Sequence, residues 1–186
     1  DPAVLAGLGL LAALYARGLK SRPGGRRRRR FLPWWRPLFF YGGLLAVLLA
    51  LQSPVAALAH DLFSAHMVQH LVLAMVAPPL LLLGAPVIPV LRGLPRSFRR
   101  RVLAPAARNR RVRGLLRGLS RPLVAWALYN GLFFAWHIPM FYGPALEHEA
   151  VHIAQHATFF GTGVLFWWNV VDPVPLRARL SHPMRI

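Results

Sequence analysis

The chain has 186 residues and a formal net charge of +18, because 23 Lys and Arg residues stand against only 5 Asp and Glu residues. Hydrophobic residues make up 56% of the chain and charged residues 15%, a balance that argues against a soluble globular domain. The sequence contains no cysteine, which excludes disulfides and thiolate metal sites.

Nearly uncharged apolar stretches recur along the chain and predict membrane helices. Four of them are long enough to cross about 30 Å of hydrocarbon. The first has a shorter apolar part, but its basic residues follow rather than precede it, which suits a membrane span better than a signal peptide. We therefore predict an all-α, polytopic membrane helical bundle that forms a single domain. The five predicted spans cover about residues 3–19, 38–59, 66–91, 122–141 and 148–171.

A proline-rich segment interrupts the third predicted span. Residues 77–89 read APPLLLLGAPVIP, and each proline removes one backbone hydrogen-bond donor. We expect the span to bend or break here, with neighbouring helices satisfying the freed carbonyls.

The basic residues fall in three segments, and their placement predicts the orientation of the chain. Residues 17–36 contain nine of them, residues 92–121 contain eleven and residues 177–185 contain three. If the loops alternate sides, all three segments lie on one side, which the positive-inside rule makes cytoplasmic. The N-terminus is then outside and the C-terminus inside, with basic cytoplasmic loops over 20–36 and 92–121. Neither loop shows a nucleic-acid-reading module, so we expect the lipid bilayer as a partner and no nucleic acid.

Seven of the eight histidines lie near the predicted outer ends of the spans, and His182 lies in the cytoplasmic tail. Residues four apart share one face of a helix, so the histidines of the third span form one column and those of the fifth form another. Ionisable side chains inside a membrane tend to face the bundle interior and mark function. The seven outer histidines are His60, His66, His70, His137, His148, His152 and His156.

Neutral imidazole is a common ligand of copper, zinc, iron and nickel, so these seven histidines are candidate metal ligands. The thioethers of Met67 and Met140 would favour Cu(I), and Asp61 or Glu149 could accept an imidazole N–H as an outer-shell partner. Two alternatives stay open at this stage. One is a haem held by one histidine from each of two helices, and the other is a metal-free scaffold whose histidines only bond between helices.

Two segments carry a resemblance to a known family. Residues 66–86, HMVQHLVLAMVAPPLLLLGAP, and residues 130–168, NGLFFAWHIPMFYGPALEHEAVHIAQHATFFGTGVLFWW, resemble the CtaG family of caa(3)-type cytochrome c oxidase assembly proteins. The resemblance covers roughly residues 37–175, and the paired H-x3-H motifs, the A-P-P…G-A-P run and the N-x2-F-x2-W-H-x-P segment occur in it together. The family motifs match His66, His70, His137, His152 and His156.

The resemblance implies a polytopic protein of the bacterial plasma membrane that helps to mature the respiratory oxidase. It implies copper as the cargo, delivered to the copper B centre of oxidase subunit I. Family members usually have about seven spans, so we expect this chain to be a portion that lacks the last part. The sequence shows no nucleophile constellation, paired catalytic carboxylates or phosphate-binding loop, and we therefore expect a chaperone rather than an enzyme.

Overall fold

The helices of the chain enclose a small core between apolar faces. A computed structural model describes residues 2–21, 33–53 and 62–171. Helices account for 88% of these residues and no β-strand occurs among them, which confirms the predicted all-α fold. The helices are α1 (Pro2–Lys20), α2 (Trp35–Gln52), α3 (Phe63–Leu83), α4 (Val87–Gly93), α5 (96–108), α6 (Arg110–Leu119), α7 (Pro122–Ala135), α8 (Pro139–Glu147) and α9 (Glu149–Val170).

Three helices, α1, α2 and α3, are long and apolar enough to cross a membrane. Only 11%, 28% and 44% of their apolar windows are buried inside the protein, so much of their apolar surface faces outward, as lipid contact requires. This surface indicates a membrane protein. Helix α7 is apolar but shorter, and α9, although 22 residues long, carries several polar side chains and is not among the three. The total of five spans stays a prediction.

The proline-rich segment divides the third predicted span. Helix α3 ends at Leu83, and α4 begins at Val87 after a turn in which Ala85 has a left-handed φ of 48°. The span predicted over 66–91 therefore consists of two helices. The break expected within 77–89 is confirmed.

Helix α1 packs against this break. The Tyr15 side chain is fully buried, and its hydroxyl donates a hydrogen bond of 2.8 Å to the carbonyl of Gly84. Its ring stacks on Phe40 of α2, with the centroids 3.8 Å apart. Further along α1, a Cβ on Gly18 would overlap the carbonyl of Pro89 in α4, so the close approach of these two helices requires glycine. Helix α1 is thereby held against both α2 and α4.

Helices α2 and α3 run antiparallel. Phe40, near the start of α2, lies against Gly84 just beyond the end of α3. Near the other end, the Gln69 side-chain amide of α3 donates a hydrogen bond of 2.8 Å to the carbonyl of Ala50. Between these two contacts lies a cluster of buried apolar side chains that packs the two helices together: Val47, Ala50, Leu73 and Ala77.

Helix α9 contacts α3 at a π-helical turn, Val72–Val76. Pro78 cannot donate the usual backbone hydrogen bond to the carbonyl of Ala74, because proline has no N–H. The indole N–H of Trp167 from α9 donates to this carbonyl instead, at 3.1 Å. Gly163 permits the approach, since a Cβ there would lie 2.7 Å from the same oxygen. This contact fixes the separation of α3 and α9.

Two further predicted segments differ in detail from the structure. Within the span predicted over 122–141, the first helix, α7, ends at Ala135, and α8 begins at Pro139. The segment 92–121, predicted as a basic loop, is largely helical and forms α5 and α6. Asn109 starts α6 because its side-chain oxygen accepts hydrogen bonds from the first backbone N–H groups of the helix.

Candidate metal centre

Four imidazoles from α3 and α9 meet near the N-terminal ends of both helices. On each helix the two rings are one turn apart, with centroids 4.2 Å apart for His66 and His70 and 4.2 Å apart for His152 and His156. Across the helices, His66 lies 5.4 Å from His152, and His70 lies 5.3 Å from His156. The two columns therefore face each other in register, which makes α3 and α9 parallel. We call these four residues the histidine cluster.

The cluster can present several nitrogens to one ion. Single ring nitrogens of His66, His70 and His152 all lie within 4.8 Å of one another. Rotation of the rings can bring nitrogens at this spacing onto one ion with bonds of about 2 Å. The ring of His156 packs against those of His70 and His152 and offers a fourth donor.

The cluster is buried at His66 and His70 and partly buried at His152 and His156, and part of its hydrogen-bonding capacity is unused. His66 is 3% exposed and His70 is 1% exposed. Both ring nitrogens of His70 and the Nε2 atom of His156 have no hydrogen-bond partner in the described part of the chain. Because such a buried polar atom costs about 1–3 kcal/mol, the arrangement is suited to a ligand that binds to these nitrogens.

A cleft of about 830 Å³ opens onto one side of the cluster. Its walls come from α1, α2, α3, α8 and α9 and are mostly apolar, but His66, His152 and His156 line it together with Glu147 and Glu149. These two glutamates are the only acidic residues within 2–21, 33–53 and 62–171. In a chain of net charge +18, this acidic pair gives the cleft a local attraction for cations.

His137 lies beside the cluster and contacts Met67. Its Nδ1 atom is 2.6 Å from the carbonyl oxygen of Phe133, and its Nε2 atom is 3.4 Å from the Met67 sulfur. The turn that carries His137 is anchored by the neighbouring Trp136, whose indole N–H donates to the Thr158 hydroxyl of α9 at 2.8 Å. His137 was predicted as a ligand and Met67 as a possible soft donor, and the structure brings them together as a pair.

Three other predicted residues that the structure describes lie outside the cluster. His148 precedes α9 as its N-cap residue, and its side chain is exposed. Met140 is 70% exposed on α8. Glu149 is exposed and lines the cleft as one of the acidic pair. His60 and Asp61, as well as His182 of the tail, lie outside the described residues.

The sequence profile of a family described as cytochrome c oxidase caa3 assembly factor, Caa3_CtaG, matches residues 13–186. The chain belongs to this family. The resemblance drawn from the two histidine motifs and the W-H-x-P segment is thereby confirmed.

This Caa3_CtaG chain is similar to three mycobacterial proteins that are described as uncharacterized. Mb0105 of Mycobacterium bovis and MT0111 of Mycobacterium tuberculosis are each 31% identical over 182 residues, which is 95% of this chain and 27% of the relative. ML1998 of Mycobacterium leprae is 25% identical over 166 residues, 87% of this chain and 25% of the relative. The chain thus spans about a quarter of the length of these relatives. No solved structure matches it.

Two buried glutamines of this Caa3_CtaG chain lie next to the histidine columns and were not among the residues predicted from the sequence. Gln69 and Gln155 are 4% and 1% exposed, and the side-chain oxygen of each has no hydrogen-bond partner in the described residues. Each directly precedes the second histidine of its pair, so that both helices read H-x-x-Q-H. This repeated motif is the pattern that could have revealed them, because it puts a buried amide beside both columns.

Proposed function

We propose that this Caa3_CtaG chain binds copper through the histidine cluster and passes it to the copper B centre of cytochrome c oxidase subunit I during assembly. The observation that carries the proposal is the convergence of four imidazoles from two helices, with ring nitrogens of His70 and His156 unpartnered among the described residues. A bound ion would use such nitrogens and remove the cost of burying them.

The donor set supports copper. A sequence without cysteine offers imidazole nitrogen as its main donor, and copper binds such sites most strongly among the divalent first-row metals. Haem fits this geometry poorly, because a macrocycle must lie between its two axial imidazoles. The paired rings of the cluster are only 4.2–5.4 Å apart and contact one another directly.

The surroundings of the cluster support a transient cargo rather than a permanent structural ion. The cleft reaches three of the four histidines from outside, and the acidic pair lines it. A site for delivery needs ligands that can be reached by an incoming partner, whereas structural sites are closed. The function proposed here involves no catalytic step by the chain itself.

The placement of charge supports an orientation in the bacterial plasma membrane. Lys20 ends α1 and Arg36 begins α2, at the end of the bundle where Tyr15 meets Gly84. The histidine cluster lies near the opposite end of α3. We infer that the basic end is cytoplasmic and that the cluster faces the outer side, with the N-terminus outside and the C-terminus inside.

The proposal is tested by copper binding to the full chain purified in detergent. Wild-type protein, His70→Gln/His156→Gln and His148→Gln are loaded with Cu(I) against a chelator of known affinity, and bound copper is measured by elemental analysis. We expect at least one equivalent of copper in the wild type, loss of one equivalent in the double variant and full retention in H148Q, whose side chain is exposed outside the cluster.

Three other outcomes would distinguish copper delivery from haem binding and from a metal-free scaffold. Unchanged copper in the double variant contradicts the proposal. A Soret band that disappears in the double variant would indicate haem. In cells that make the oxidase, the double variant should give an oxidase depleted in copper B; normal copper B would instead support the metal-free scaffold.

A further inference from the structure

The pair formed by Met67 and His137 has the features of a separate soft-metal position. Met67 comes from α3 and His137 from the turn after α7, so 70 residues of chain separate two potential ligand atoms that lie 3.4 Å apart. Both side chains are only partly buried. Neither belongs to the group of three histidines, His66, His70 and His152, whose ring nitrogens could hold one ion.

The hydrogen bond to Phe133 determines which nitrogen of His137 carries the proton. A carbonyl oxygen can only accept, so the Nδ1 atom at 2.6 Å from it must be the protonated one. In a neutral imidazole the Nε2 atom then has a free lone pair. The Met67 sulfur also carries lone pairs and no proton, so with this neutral tautomer two electron-pair donors face each other without a hydrogen between them.

The spacing of the two donors matches a shared ion. An ion with bonds of about 2.0 Å to nitrogen and about 2.3 Å to sulfur would subtend an angle of about 105° across this contact, close to tetrahedral. Thioether sulfur is a soft ligand that selects Cu(I) over Zn²⁺ and other harder ions. The N–H of His137 is already satisfied by a backbone carbonyl, an arrangement that typically orients a metal-binding imidazole.

We propose that Met67 and His137 form a second copper position, selective for Cu(I), beside the histidine cluster. The ring of Phe159 is near both positions, with its centroid 4.5 Å from that of His70 and 6.5 Å from that of His137. Met67 is also one helical turn from His70, on the same side of α3. The two positions are therefore close neighbours in the bundle. This inference rests on the proposed function only for the source of the ion.

The test uses the full chain loaded with Cu(I) in detergent and measured by X-ray absorption at the copper edge. We expect a copper–sulfur component in the wild type and its loss in Met67→Leu, which removes the sulfur with little change in volume. Met140→Leu is the matched control, because that thioether is exposed elsewhere. Selenomethionine-labelled protein checks the contact without any substitution, through copper scattering at the selenium edge.

Titration with Ag(I), a spectroscopically simple substitute for Cu(I), gives the stoichiometry. We expect M67L to bind one equivalent fewer than the wild type and M140L to bind the same amount. The proposal is overturned if the sulfur component is absent in the wild type, persists in M67L, or disappears in H70Q/H156Q, since the last result would assign the sulfur to the cluster. Retention of all copper in H70Q/H156Q would refute the proposed function instead. The copper–sulfur signal of M67L would then still decide whether Met67 binds copper.

Discussion

Replacing Gly163 with alanine tests whether the contact between α3 and α9 sets the geometry of the histidine cluster. A Cβ at this position would lie 2.7 Å from the Ala74 carbonyl oxygen and 3.1 Å from a ring carbon of Pro78. Ordinary contacts begin at 3.4 Å, so the Cβ and the oxygen must move apart by about 0.7 Å. The obstructing atom belongs to the backbone, and the strain must therefore be relieved by movement of a helix.

The expected cost follows from overpacking, which destabilises a well-packed interior by about 1–3 kcal/mol. Alanine also has a higher helix propensity than glycine, by about 1 kcal/mol, which offsets part of this cost. Gly161→Ala is the matched control, since it lies on the same helix and its Cβ would meet nothing within 4 Å. The propensity gain is common to both variants, so G163A should be less stable than G161A by about 1–3 kcal/mol.

The assay is reversible unfolding of the detergent-solubilised chain by increasing denaturant, followed by circular dichroism. Copper affinity is measured in parallel, because Gly163 lies two turns from His156 on the same helix. Metal–ligand bond lengths lie within about 0.2 Å of their standard values, so the shift of α9 should weaken copper binding in G163A and not in G161A. Equal stability and equal affinity of the two variants would refute the reasoning.

Three other predictions concern contacts of the same bundle. Trp167→Phe leaves the Ala74 carbonyl without its indole donor and should lower the free energy of unfolding by about 1–3 kcal/mol; an unchanged denaturation midpoint would contradict this. Tyr15→Phe keeps the aromatic ring but removes the donor to Gly84, and we expect a loss of about 1–2 kcal/mol in the same assay, with no loss as the contrary result. Replacing the acidic pair with glutamine should slow Cu(I) association about tenfold at low salt and less at high salt, measured by stopped-flow mixing; equal rates at low salt would show that these carboxylates do not steer the ion.

The histidine cluster could be predicted from the sequence because its geometry is mostly local. The i, i+4 spacing puts His66 with His70 and His152 with His156 whenever the segments are helical, and burial of polar side chains turns both columns inward. The same spacing relates His148 to His152, yet His148 lies outside the helix. Its extended backbone, with φ −120° and ψ 114°, begins α9 one residue later, and a periodic pattern does not determine such a boundary.

Contacts between distant segments were beyond the sequence pattern. Met67 and Met140 offer the same thioether, but only Met67 meets His137, because the turn after α7 is fixed by the hydrogen bond from Trp136 to Thr158. The positions of the two methionines in the sequence do not show which of them contacts His137. That contact depends on the packing of α7 on α9.

The third predicted span, with its break, also depends partly on local sequence and partly on contacts with a distant segment. Its prolines predicted an interruption somewhere within 77–89, yet α3 continues through Pro78 and breaks after Leu83. The helix can continue because Trp167 supplies the hydrogen bond that proline cannot give to Ala74. A carbonyl freed by a proline is thus satisfied by a residue about 90 positions later in the chain.

The parallel packing of α3 and α9 has a thermodynamic consequence for whatever the cluster holds. An ion bound by histidines of both helices joins segments that are far apart in the chain, and it binds the folded bundle in preference to the unfolded one. At a free ion concentration one hundred times the dissociation constant, such linkage adds about 2.7 kcal/mol to the free energy of unfolding. The loaded bundle is then the more rigid state, and release of the ion loosens the α3–α9 contact. If the cluster carries copper as proposed, the protein would differ mechanically before and after delivery, and resistance to proteolysis would report whether the ion is still bound.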